Sequence, residues 1–317
     1  MPRLIDLTAT LDPKKREQLP EAMKMAGVVL SPNIEYLHPA EAGGKDQFCM
    51  SLGCSHDELP DGEGWGAENL SGFNSHCGTH VDAPLHSGSQ CEGRKSRTIT
   101  DIDLEELYRP GIVLDVQDWV KPGEEITIEM LDKALEKTET KISQGDAVLI
   151  RTGQERFDIG DPRYFNYPGM SRASTLHLTR QGATILGTDA LGWDRPFGKM
   201  TEQFRATGDK SLLWDGHKAI VQKEAFIVQQ MANLGALPLS GFMVGFFPIK
   251  LAECSAAPAR VVAFLDQQYV RSWPENDEKR SRVKPDQETN RTLDRGCHPL
   301  PLNSAALKRR LSRRQAS

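Results

Sequence analysis

Ser75-His76-Cys77-Gly78-Thr79-His80-Val81-Asp82-Ala83-Pro84-Leu85-His86 sets three histidines and an aspartate on even-numbered positions. In an extended backbone successive side chains alternate faces, so positions 76, 80, 82 and 86 share one side. A helix would pair His76 with His80 but swing Asp82 away from both, and Pro84 would break it. The stretch therefore reads as a strand running into a loop, with two imidazoles and a carboxylate together. Nitrogen and oxygen donors of this kind suit Zn²⁺ or Mn²⁺ with one position open to water. Cys77 falls in the odd register and faces away from the imidazoles, so it reads as a buried or linking thiol rather than a nucleophile.

Outward from this stretch, strands alternate with helices. Leu4, Ile5 and Leu7 among polar neighbours mark residues 3–8 as a short first strand, and 112–116 is the next. Thr127 opens a helix running through Ile128, Leu131 and Leu135, its hydroxyl serving as cap. Residues 147–150, Ala-Val-Leu-Ile, are a continuous apolar run typical of a buried strand. Ser171 caps a helix to about Gln181, residues 183–186 form a strand, and 242–249 and 260–265 form the last two. This alternation implies an α/β architecture. Residues from about 10 to 70 are rich in Gly, Pro and charge, with one short helix at 14–25. Such a length suits a lid or a subunit contact more than a connection. Gly62-Glu63-Gly64-Trp65-Gly66 lacks phosphate-loop spacing, and no apolar strand leads into it. Trp65, in that Gly-flanked loop, is a candidate substrate wall. Asp189 and Asp194 flank Trp193 just past a strand end, where α/β folds often put functional groups. Trp193 is a second candidate substrate contact, and Asp189 a candidate support behind the metal ligands.

The pattern His-x-Gly-Thr-His-x-Asp-x-Pro-x-His, met at His76, Gly78, Thr79, His80, Asp82, Pro84 and His86, resembles the signature of the cyclase family of metal-dependent hydrolases. That family includes bacterial kynurenine formamidase and isatin hydrolase. The resemblance implies that His76, His80 and Asp82 bind the metal, with His86 as base or proton shuttle beside it. Thr79 then orients a ligand from behind by hydrogen bonding. A second segment, from His217 to Pro238, is similar to the family stretch in which a glutamate follows a histidine by twelve residues, ahead of Asn-Leu. Asn233-Leu234 sets the register, so His217 takes the histidine place and Gln229 the glutamate place. A neutral amide there gives weaker charge compensation for a second dication. The resemblance thus implies one divalent ion, Mn²⁺ or Zn²⁺, with His217 and Gln229 completing or lining its pocket. It also implies a single domain over residues 1–266 of the swivelling β/β/α type, a mixed β-sheet flanked by helices, with an insertion at about 10–70. A homodimer or tetramer is implied in the same way.

Composition agrees with a globular enzyme. The chain of 317 residues is 38% hydrophobic and 26% charged, enough apolar material for a sizeable core. No run approaches the ~18 apolar residues that span a bilayer, and the N-terminus carries no export signal. Six cysteines without a Cys-x-x-Cys pair fit a reducing, cytoplasmic setting. Residues 271–317 hold twelve Lys/Arg against six Asp/Glu, so the net charge of −5 leaves −11 on the preceding 270 residues. That acidic body excludes nucleic acid as the main partner; the basic tail, 267–317, reads as a solvated arm. No Gly-x-Ser-x-Gly elbow is present for a serine hydrolase. The expected activity is metal-assisted hydrolysis of a small-molecule cyclic amide or lactone, with His86 moving the proton. Three alternatives stay open: an aryl formamidase of the N-formylkynurenine type, a non-hydrolytic cyclase or dehydratase, and a metal-binding protein without turnover.

Overall fold

The apolar run at 147–150 becomes the middle of a sheet buried on both faces, in a computed structural model that describes residues 2–265. Eight strands make the sheet: β1 (Arg3–Asp6), β2 (His80–Asp82), β3 (Tyr108–Asp115), β4 (Ala147–Arg151), β5 (Ile185–Thr188), β6 (Phe226–Gln229), β7 (Phe242–Pro248) and β8 (Ala256–Leu265). Their order is β1-β8-β7-β3-β4-β5-β6-β2. The β3-β4-β5-β6 block is parallel, and every other pairing is antiparallel. β2 pairs with β6 on one side and returns to β8 on the other, so the mixed sheet closes into a barrel-like form.

Alternation along the strands sorts the core into two layers. Val113, Leu149, Ile185 and Val228 point into the barrel. Ile112, Leu114, Val148, Ile150, Leu186 and Ile227 point outward, against helices α3 (Ile128–Glu136) and α4 (Arg172–Gln181) through Leu131 and Leu178. Burying each such aliphatic side chain contributes roughly 1.5–3 kcal/mol. Residues directly opposite in antiparallel strands share a face. Asp82 lies opposite Ile227 and His80 opposite Gln229, so all four belong to the outer, helix-covered face.

The segment from 10 to 70 is built rather than loose. The helix expected at 14–25 is instead two 3₁₀ pieces, Pro13–Gln18 and Glu21–Ala26, because Pro20 cannot continue a helix. A two-stranded ribbon, Asn33–Leu37 with Ala67–Ser71, and helix α1 (Ala42–Leu52) complete it. Leu19 and Leu30 pack with Ile159, Phe165 and Leu191, which brings this segment against the outer face of the barrel. Among the described residues no helix is long and apolar enough to cross a membrane. The basic tail, 267–317, lies outside the described residues.

Candidate metal centre

Four elements deliver the donors. Asn74 Oδ1 accepts from the backbone N–H of His76 (2.9 Å) and shapes the turn that presents this histidine. Gly78 then reverses the chain at φ +65°, a conformation glycine adopts freely, and a Cβ there would stand 2.3 Å from Leu11 Cδ2. β2 carries His80 and Asp82. Pro84 does not end the segment but starts a single helical turn, α2 (Pro84–Ser87), where its missing N–H is harmless. That turn folds His86 back onto His76. The single extended register expected from the sequence thus holds only for His80 and Asp82, and the outer two histidines converge through turns. The fifth donor, His217, rides on α6 (Asp215–Lys218), whose Gly216 and His217 N–H groups donate to the Asp194 carboxylate.

Asp82 is the centre of the cluster. Its Oδ1 lies 3.3 Å from His76 Nε2 and 3.4 Å from His80 Nε2, buried and hydrogen-bonded to neither. Its Oδ2 accepts from Gln229 Nε2 (2.6 Å) and stands 3.6 Å from His217 Nε2, which is also buried without a partner. The outward nitrogens explain this geometry. His80 Nδ1 donates to Gly78 O (2.7 Å), His76 Nδ1 faces Asn74 Oδ1 (3.2 Å), and His217 Nδ1 pairs with Asp194. A neutral imidazole that donates outward turns a lone pair inward. Lone pairs on nitrogen facing a carboxylate oxygen make a hole that a cation fills. An orphaned buried oxygen and nitrogen pointing at one place are what an absent ion would leave, so the donor set fits a divalent metal. One donor atom each from His76, Asp82 and His86 also falls within 4.8 Å of the others.

His86 differs from the other three histidines. Its ring nitrogen contact is Nδ1 to His76 Nε2 (2.8 Å), inside the cluster, and no carboxylate or carbonyl among the described residues fixes its outer nitrogen. Trp214 holds the ring by its edge instead, at 4.9 Å and 87°, while stacking on His217 at 4.7 Å. Burial pushes the His86 pKa down to about 4, and burial lowers His76 as well. Burial opposes charge on His217 too, but with no cation between them the Asp194 and Asp82 carboxylates overcome it and raise that group to about 9, so its Nε2 lone pair becomes available only where a cation takes the proton's place. For Asp82 burial favours the neutral acid, and the surrounding imidazoles more than offset it, so its carboxyl stays well below the usual range.

Gln229 is fixed by a group that can only donate. The Trp193 backbone N–H points at its Oε1 (2.9 Å), so its amide nitrogen must face Asp82 and His80. An amide N–H₂ is no metal ligand, and the expectation that Gln229 completes the ligand set is corrected: it lines the pocket and braces Asp82. Thr79 Oγ1 donates to Gln230 O (2.5 Å) and accepts from Ala9 N (2.9 Å), tying the motif turn to the segments that follow β6 and β1 rather than to a ligand.

Above the donors opens a cavity of about 510 Å³, with His76, His80, His86 and His217 in its floor. Of the two expected contacts, Trp193 is among the residues lining the cavity but keeps its ring in the core, and Trp65 is not at the cavity. The Trp193 indole is 1% exposed, part of the outer core, with Nε1 donating to Thr175 Oγ1 (3.0 Å). Trp65 packs on Phe48 and Gln47 in the insertion, away from the cavity wall. Asp189 is taken up by Thr152 N (2.8 Å) and Oγ1 (2.6 Å), so it clamps a loop rather than a histidine. Sequence reasoning missed Trp214, the aromatic wall. Its signal was slight: a tryptophan three residues before His217, held at φ +57°, which a bulky residue seldom adopts.

Residues 5–195 match the family model described as "Putative cyclase". Isatin hydrolase of Roseibium aggregatum is 24% identical over 209 residues, 63% of this chain and 75% of that protein. The structure of isatin hydrolase A from Labrenzia aggregata bound to benzyl benzoate superposes with a TM-score of 0.62 at 22% identity, covering 83% of this chain and 93% of that one. A structure titled as a potential metal-dependent hydrolase with cyclase activity gives 0.55 at 20% identity, covering 84% of this chain and 100% of that one. With three fifths of its length under the family model, and with that family's fold, this chain belongs to the cyclase family.

Proposed function

We propose that the chain is a metal-dependent hydrolase that opens neutral cyclic amides or lactones. The observation that carries this reading is Asp82 Oδ1, buried among imidazole nitrogens without a hydrogen bond, beneath a cavity whose two charged residues outside the cluster, Asp194 and Arg195, each already face an oppositely charged or imidazole partner. His76, His80 and Asp82 would hold one ion, Mn²⁺ or Zn²⁺, with His217 Nε2 in reach. Such an ion supplies Lewis-acid polarisation of a carbonyl and brings the pKa of water from about 15.7 toward ~7. His86 is the proton carrier, being neutral near pH 7, with Nδ1 donating to His76 and Nε2 left without an acceptor or donor among the described residues. It takes the proton of the attacking water as that oxygen bonds to the carbonyl carbon. It returns the proton to the nitrogen or oxygen that leaves when the ring bond breaks.

The two charged cavity residues outside the cluster are engaged. Asp194 holds His217 and Gly216, while Arg195 is bonded to Gln203 (2.5 Å) and lies 3.4 Å from Asp215, with only its Nε left without a partner. A formylkynurenine-type substrate brings an ammonium and a carboxylate; these walls offer the ammonium no free carboxylate, and the carboxylate only the Nε of an Arg195 already paired with Asp215. An unpaired buried ion costs several kcal/mol. A neutral ring is the better fit, and the benzyl benzoate held by the Labrenzia relative is likewise uncharged. Turnover of isatin, simple lactones and formylkynurenine by metal-loaded protein in ¹⁸O-water tests the proposal. The expected result is one ¹⁸O in the opened acid from isatin or lactone, with little turnover of formylkynurenine. Unlabelled product would mean a cyclase or dehydratase, and bound metal with no turnover would mean a binding protein.

A further inference from the structure

We infer that the substrate ring carries a large apolar substituent, which fills the cavity away from the donors; this rests on the hydrolase reading above. An apolar cavity of roughly 150 Å³ is enough for a benzene, and the cavity here is about 510 Å³. A bare one- or two-ring compound seated at the histidines leaves most of it empty. Most of the remaining wall is hydrocarbon, Met23 and Leu30 from the insertion, Phe165, Leu191, and Met200 from α5 (Phe197–Thr207), with Asn74 and Gln230 its uncharged polar members. Its two nearest charges, Asp194 and Arg195, are already paired, so the arm that lies along this wall is uncharged. At the rim Phe197 is 74% exposed, an aromatic left in water at the mouth of an apolar chamber. The substrate class is therefore a neutral lactone or lactam bearing a chain of about six carbons or more, or a further aromatic ring.

Gly198, in the rim beside Phe197, accepts a side chain that can narrow the chamber without breaking anything, since it lines the cavity and a Cβ there meets nothing within 4 Å. Two series on the metal-loaded protein test the inference: turnover of γ-lactones with methyl to octyl side chains, and calorimetric binding of the matching 2-alkylcyclopentanones, which cannot be hydrolysed. Affinity and kcat/KM are expected to rise about fourfold per added methylene until the cavity is full. Gly198→Leu and then Gly198→Trp should flatten that rise in steps. Ketone binding that strengthens with chain length while no lactone turns over would sink hydrolysis and leave the chamber standing. Lactones turned over with no chain-length dependence in either series would overturn the apolar substituent alone.

Discussion

His86 and Gln229 are the residues on which the chemistry turns, and each gives a prediction at its own scale. Three imidazoles have their outer nitrogens held by Asn74, Gly78 and Asp194, while His86 has no such acceptor among the described residues. His86→Ala should therefore keep its metal by elemental analysis and lose about 10²–10⁴-fold in kcat, the usual contribution of a general base. Loss of the ion along with activity would make His86 a ligand, as its place within 4.8 Å of His76 and Asp82 allows. Gln229→Glu tests the metal count. The Trp193 N–H would hold one carboxylate oxygen, turning the other toward Asp82 Oδ2, now 2.6 Å from the amide nitrogen. Two carboxylate oxygens that close need a proton or a cation between them. A second equivalent of Zn²⁺ or Mn²⁺ should become measurable, and an unchanged stoichiometry would undo the argument that the amide limits the site to one ion.

At the scale of elements, what the sequence revealed and what it hid have separate physical causes. The strand at 147–150 and the helix after Thr127 were legible because continuous burial and an amphipathic face are local patterns. The closure of the sheet was not: β2 is three residues long, and its pairing with β6 and β8 joins positions far apart in the chain. The ligand pattern was legible as types and spacing, but the turn at Gly78 and the helical turn from Pro84 replaced the single extended register. Trp193 and Asp189 were misread for one reason, since a residue past a strand end can turn to the site or to the core. Asp189 joins β5 to the loop after β4, and burial, against the three hydrogen bonds its carboxylate accepts, raises its pKa from 3.8 to about 6. The fold thus favours the protonated carboxyl. The stability this gives is full below pH 3.8 and is lost as pH rises through about 6, on the order of 3 kcal/mol in all. Urea denaturation of the wild type against Asp189→Asn should show the wild type losing ground between pH 4 and 7. A pH-independent difference would mean that the carboxylate stays ionised in the fold.

For the whole molecule, the metal centre and the seam of the barrel are the same few residues. β2 is the strand that closes the sheet, joined to β6 and β8. Ala259 N donates to Thr79 O (2.9 Å), and Ala83 N donates to Ser255 O (2.8 Å), so the motif is stitched to β8 at both of its ends. Without a cation, the lone pairs of His76 and His80 face Asp82 Oδ1, and the seam holds an unfavourable cluster at its centre. The parallel block of β3, β4 and β5 touches none of these donors and keeps its own two-sided core. Chelation should therefore act locally before it acts globally. At a metal concentration a thousandfold above Kd, binding to the native state contributes about 4 kcal/mol, and its removal should lower Tm accordingly. In hydrogen exchange, the amides of residues 80–83 and 256–261 are expected to lose protection first, while those of 147–151 and 185–188 stay protected. If chelation loosens all the strands equally, the ion supports the fold without closing the seam. If it loosens none, the histidines and Asp82 do not hold a metal in the native state.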